Sequence, residues 1–188
     1  MAESTGSREP QPPRVTKKRL FFALWPSAEV RSQIVADTRR AIEGTGAHAV
    51  QPANLHITLA FLGAVSASSV PDIIEAARGV RFLPCEISLD RTGYWPRSRV
   101  AWLRPGAYPL VLDALVDDLR NKLAGLGFHL EATQYLPHVS LCRNVSAGVG
   151  MRLPTPIVWP IESFVLVESR PSASGAVYTL LEQFSAGA

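Results

Sequence analysis

Four histidines occur in this chain: His48, His56, His129 and His138. Two of them open the same tetrapeptide, His56-Ile57-Thr58-Leu59 and His138-Val139-Ser140-Leu141. One such match means little, because a strand histidine usually just satisfies a local hydrogen bond. Two matches among four histidines is roughly a one-in-a-thousand event at this composition, before allowing for the Thr and Leu preference of strands. Side chains alternate faces along a strand, so His56 and Thr58 share one face, as do His138 and Ser140, while Ile57 and Leu59 turn to a core. Imidazole titrates near about pH 6.5 and a hydroxyl donates to an anionic oxygen. Two imidazoles and two hydroxyls around one cavity suit a phosphodiester. One histidine activates the nucleophile, the other protonates the leaving oxygen, and the hydroxyls hold the non-bridging oxygens. In-line displacement needs acid and base on opposite sides of phosphorus, which one histidine from each half of the chain supplies.

Other chemistries fit less well. Catalytic zinc usually has three protein ligands, and neither motif contains Asp or Glu. No G-x-S-x-G elbow and no G-x-x-x-x-G-K-[ST] loop is present. Cys85 and Cys142 stand in no C-x-x-C spacing, so they read as small hydrophobes in a reduced setting. His48 and His129 lack comparable partners and are expected to lie outside the chemistry.

Periodicity and punctuation indicate the elements that carry the motifs. Residues 1–18 are polar and hold three prolines, so a disordered leader is expected before a single domain over 19–188. Leu20–Trp25 reads as a buried strand stopped by Pro26, and Ser27 as the cap of a helix ending near Gly44. Strands are expected at 55–62, 82–89, 100–103, 138–142, 161–168 and 176–184, with helices opened by Ser69 and by Pro109. Strand, helix and His-bearing strand thus occur in each half, with the two histidines 82 residues apart. That spacing exceeds a solenoid repeat and suits a duplicated α+β fold, with two antiparallel sheets facing a central cleft and helices outside.

The 188 residues carry 19 Lys+Arg against 16 Asp+Glu, a net charge of +3. This is too weak for a bulk nucleic-acid binder but allows one local phosphate site. No apolar run reaches ~18 residues and no secretory signal is visible, so a cytoplasmic protein with no membrane partner is expected.

At these residues the chain resembles the two-histidine phosphoesterase superfamily. More closely, it resembles the bacterial LigT-like RNA 2′,3′-cyclic phosphodiesterases, also called RNA 2′-5′ ligases. The similar segments are Arg19–Pro26, Asn54–Gly63, Arg99–Leu103, Pro137–Arg143, and Glu168-Ser169 with Tyr178. Ser140 stands where Thr is commoner in the family. The resemblance implies cofactor-free, metal-independent hydrolysis of cyclic phosphate ends to 2′-phosphomonoesters. It implies His56 as general acid and His138 as general base, with Thr58 and Ser140 on phosphate oxygens. The residues alone leave the order of the two histidines open. Arg143 is a further candidate for phosphate or ribose oxygens. Phe61, Tyr135, Tyr94 and Trp95 are candidates for base stacking. The expected partners are RNA 3′ ends or small nucleotide cyclic phosphates. One chain holds both histidines, so a monomer without an obligate protein partner is expected. Two other readings stand beside this one. The same site could run 2′-5′ ligation or 2′-5′ oligonucleotide cleavage, or the chain could be a non-catalytic RNA-end binding module. Acid–base catalysis by two imidazoles predicts a bell-shaped rate profile near neutrality.

Overall fold

The computed structural model describes residues 16–43, 45, 47–130, 134–146, 150–173 and 175–187. Most of the expected leader, residues 1–15, lies outside the described residues. The first strand, β1 (Lys17–Leu24), starts three residues earlier than the sequence suggests and is buried from Leu20 onward. Pro26 follows it. The Ser27 hydroxyl then accepts from the Val30 amide at 3.2 Å, capping α1 (Ala28–Glu43).

The chain continues through β2 (His48–Ala49), β3 (Ile57–Ser66), α2 (Val70–Arg78), β4 (Cys85–Trp95), β5 (Val100–Pro105) and α3 (Leu110–Ala124). It ends with β6 (Val139–Arg143), β7 (Arg152–Ile161), β8 (Ser163–Ser172) and β9 (Gly175–Ser185). Two differences from the sequence reading bear on the site. Strand β4 runs on past Leu89 to Trp95. Strand β7 was not expected, because Pro154, Pro156 and Pro160 argue against a central strand. It pairs only with β4, at the edge of the sheet, where a missing N–H is tolerated.

All pairings are antiparallel, in the order β7-β4-β5-β6-β3-β1-β8-β9, with β2 added to β6. The two expected sheets are two four-stranded halves of this one path. They meet where β3 and β6 share a single pair, Ile57 with Val139. Those two residues hold the same place in the two histidine motifs, and an antiparallel pair of equivalent residues sets a pseudo-two-fold axis through the bridge. The connectivity obeys it: β1-α1-β3 matches β5-α3-β6. Helix α1 leaves the β1 half to pack on β6 and β7, and α3 packs on β3 and α2.

One face of the path carries the helices and the main core, including Leu20, Leu24, Ile57, Leu103, Val139 and Leu141. Burying each large aliphatic side chain contributes about 1.5–3 kcal/mol. Since Ile57 and Val139 point into this core, their neighbours His56, Thr58, His138 and Ser140 face the other way. No helix among the described residues is long and apolar enough to cross a membrane.

Candidate active site

Each motif histidine sits one residue before its strand and is held in the same way. The Nδ1–H of His56 donates to the Asn54 carbonyl at 2.7 Å, and that of His138 to the Leu136 carbonyl at 2.9 Å. A carbonyl can only accept, so each neutral ring carries its proton on Nδ1 and keeps a lone pair on Nε2. The Thr58 hydroxyl lies 3.2 Å from Nε2 of His56 and donates to it in that tautomer. Asn54 is fixed in turn, its Nδ2 donating to the Ala176 carbonyl at 2.8 Å.

Both motif strands bulge at the fourth motif residue. Ala23 pairs with Thr58 and Phe22 with Ala60, leaving Leu59 without an opposite residue. Trp102 pairs with Ser140 and Ala101 with Cys142, leaving Leu141 likewise. An extra residue reverses the alternation of faces beyond it. Arg143, an odd number of positions after Ser140, therefore lines the same cavity as Ser140. Phe61 holds the matching place in the other half. It is 48% exposed, paired with Phe21, with the Arg19 guanidinium 4.7 Å over its ring.

The cavity has a volume of about 250 Å³. Its lining includes His56, Ser140, Arg143, Asn54, Tyr178 and His48. His48, which the sequence reading sets outside the chemistry, stands at the cavity wall because β2 adds to β6 beside Arg143. Aromatic rings frame each motif histidine. Trp25 stacks on His56 at 5.6 Å and 11°, with Phe21 at 4.9 Å and Tyr178 edge-on at 5.5 Å. Trp95 meets His138 edge-on at 4.5 Å and lies 5.7 Å from Trp102. Trp102 passes directly over Gly93, where a Cβ would come within 2.1 Å of the indole. Gly93→Ala is therefore expected to displace Trp102 and cost about 1–3 kcal/mol, read as a lower urea midpoint at unchanged m-value.

Among the described residues no carboxylate lines the cavity. Burial drives the His56 imidazole from its ordinary value of 6.5 down to about 4. The Asn54 carbonyl opposes this, and the charges of His138 and Arg143 add to it. His138 is lowered too, by burial first and then by Arg143 and Arg104, against the pull of the Leu136 carbonyl. The site thus sets neutral imidazoles beside permanent cations, an arrangement that favours an anion. Among the described residues no three His, Cys, Asp or Glu side chains are grouped as metal ligands.

The stacking candidates divide. Trp95 meets His138, and Phe61, paired with Phe21, lies exposed on the sheet face that bears His56. Tyr94 does not: strand alternation sends it to the opposite face, where its hydroxyl donates to the Val145 carbonyl at 3.1 Å. Tyr135 packs against the main core, with its ring 6.4 Å from Tyr108 and its hydroxyl buried, and it lines a separate cavity with Asp113 and Arg120. His129 lines that second cavity as well. Trp25 and Arg104 flank the site without having been singled out by sequence. Their only signal was position, one residue beyond the core-facing Leu24 and Leu103 on strands that neighbour the motif strands.

Comparison with known proteins relates the whole chain to one family. The family model described as LigT like Phosphoesterase matches residues 24–102. The RNA 2′,3′-cyclic phosphodiesterase of Escherichia coli K12 is 33% identical over 170 residues, covering 89% of this chain and 96% of that protein. The Thermus thermophilus protein of the same name is 31% identical, with 89% of each chain covered. The crystal structure of E. coli LigT complexed with 3′-AMP superposes with a TM-score of 0.84 at 31% identity, spanning 91% of this chain and 99% of that one. The resemblance read from segments between Arg19 and Tyr178 is thus matched over about nine-tenths of the chain, and the chain belongs to the LigT-like phosphoesterase family.

Proposed function

We propose that this protein hydrolyses RNA 2′,3′-cyclic phosphate ends to 2′-phosphomonoesters, using His56 and His138 as proton carriers and no metal. The observation that carries the reading is the pair of Nδ1-anchored imidazoles, each followed two residues on by a hydroxyl and close enough for their charges to act on one another, beside the Arg143 guanidinium. The names of the curated relatives support the same substrate class.

Neutral His138 accepts a proton from water through Nε2 as the water oxygen bonds to phosphorus. The bond from phosphorus to the ribose 3′ oxygen breaks, and protonated His56 delivers its proton to that oxygen. Phosphate stays on the 2′ oxygen, and one proton passes through solvent from His138 to His56 to reset the pair. The Thr58 and Ser140 hydroxyls donate to the non-bridging oxygens, and the Arg143 guanidinium balances their charge. His56 is depressed by burial, so its proton arrives with the substrate, whose anionic phosphate stabilises imidazolium. Phe61 and Trp95 offer ring faces to a terminal base. One chain supplies both proton carriers, so a monomer suffices.

The test is turnover of a short RNA ending in 2′,3′-cyclic phosphate with EDTA present, the product regiochemistry being read by phosphorus NMR. A 2′-phosphate formed at an undiminished rate is expected. Loss of turnover on chelation would make the histidines ligands instead. Turnover confined to 2′-5′ linkages would reassign the substrate, and binding without turnover would leave an RNA-end binding module.

A further inference from the structure

Arg104 is a permanent cation that forms no ion pair among the described residues. It follows Leu103 on β5, and Leu103 pairs with Val139, so Arg104 stands beside His138 on the cleft face. Its guanidinium lies 4.7 Å over the Trp102 ring, and its Nε is buried without a hydrogen bond. Asp90, on the neighbouring strand β4, is engaged by the Gly106 amide at 2.6 Å and by Arg91 and Arg152. The pseudo-two-fold puts Trp25 at the matching position in the other half, so the cation belongs to the His138 side alone.

Charge balance indicates what Arg104 is for. A cyclic phosphodiester carries one negative charge. Arg143 and the proton on the acid histidine already answer it, so Arg104 is in excess of what the scissile group needs. It also stands at the opposite end of the motif segment from Arg143, five residues and roughly 15 Å away along the strand. The chemistry of the substrate class names the second anion. A cyclic 3′ end has no nucleotide beyond it, so any further phosphate lies on the 5′ side of the terminal ribose.

Resting on the hydrolase reading above, we propose that Arg104 holds a second phosphate, the internucleotide phosphodiester 5′ of the terminal nucleotide. The site then selects RNA ends of two or more nucleotides over mononucleoside cyclic phosphates. The Trp102 face holds the guanidinium in place before substrate arrives, and a guanidinium fork suits two phosphate oxygens.

The test compares kcat/KM on a dinucleotide and on a mononucleoside, both ending in 2′,3′-cyclic phosphate. In Arg104→Gln the dinucleotide preference is expected to fall about tenfold. A methylphosphonate at the internucleotide position, which removes that charge, is expected to lower wild-type turnover of the dinucleotide to the same degree. Combining the two changes is expected to cost no more than either alone. Arg104→Lys keeps the charge and is expected to restore part of the preference. An unchanged ratio, or losses that multiply, would overturn the proposal, since Arg104 would then serve the scissile phosphate or the packing of His138. Calorimetric Kd values for the matching 2′-phosphate dinucleotide and nucleoside 2′-phosphate read the same ratio without turnover. The salt slope for the dinucleotide is expected to drop by about one ion in the Gln variant. An enzyme inert on every cyclic end would remove the hydrolase reading, while this binding ratio would still decide for or against Arg104.

Discussion

His56→Ala and His138→Ala are each expected to lower kcat on a cyclic-phosphate-ended oligoribonucleotide by about 10²- to 10⁴-fold, the range for removing one general acid or base. The pseudo-two-fold gives both residues comparable weight. Each ring is anchored through Nδ1 by a carbonyl two residues upstream, and each leaves the Nε2 lone pair as its basic site, that of His56 accepting from the Thr58 hydroxyl. The double variant is expected to lose much less than the product of the single losses, because a base that activates water gains little when no acid receives the leaving oxygen. Neither imidazole belongs to the main core, where Ile57 and Val139 hold the strands together, so circular dichroism and the urea midpoint should show folded variants. Full activity in either single variant would sink the two-histidine reading. A drop in only one would keep a single proton carrier and make the other a binding group.

The pH dependence is the second large effect, and it departs from the neutral bell expected from sequence. The kcat/KM profile is expected to peak below about pH 6.5 and to fall about tenfold per unit on its basic side. This parameter reports the free enzyme, in which burial lowers both imidazoles and brings His56 down to about 4. Catalysis needs His56 protonated and His138 neutral. Raising the pH through these lowered values strips the acid, and lowering it below them charges the base. The kcat profile reports the bound state, where the phosphate anion favours imidazolium, so its basic limb is expected at higher pH. Superimposable profiles, or a kcat/KM optimum above neutrality, would show that substrate does not couple to the proton on His56. The same lowering bears on stability. A histidine depressed in the folded state leaves the unfolded chain binding more protons, so His56 draws stability down as pH falls from 6.5 towards about 4.

The sequence by itself determined the family resemblance, the candidate residues and most of the elements. Two H-x-[ST] patterns named His56, His138, Thr58 and Ser140, because a period of two is a local property that survives folding. The aromatic run ending at Pro26 and the Ser27 cap placed β1 and α1 for the same reason: cap and breaker residues act over a few neighbours. Other features depended on partners far along the chain. The bulges at Leu59 and Leu141 exist only relative to β1 and β5, yet they bring Arg143 to the cavity and turn Phe61 to the same face of the sheet. The proline-rich β7 is a strand because it lies at an edge, which its own residues do not specify. Alternation chose Trp95 over Tyr94 once β4 was seen to extend, and core packing withdrew Tyr135. The carbonyls that set both tautomers, and the unpaired Arg104 beside His138, are facts of tertiary placement. Local patterning records which groups a strand presents, whereas register and long-range pairing decide what those groups meet.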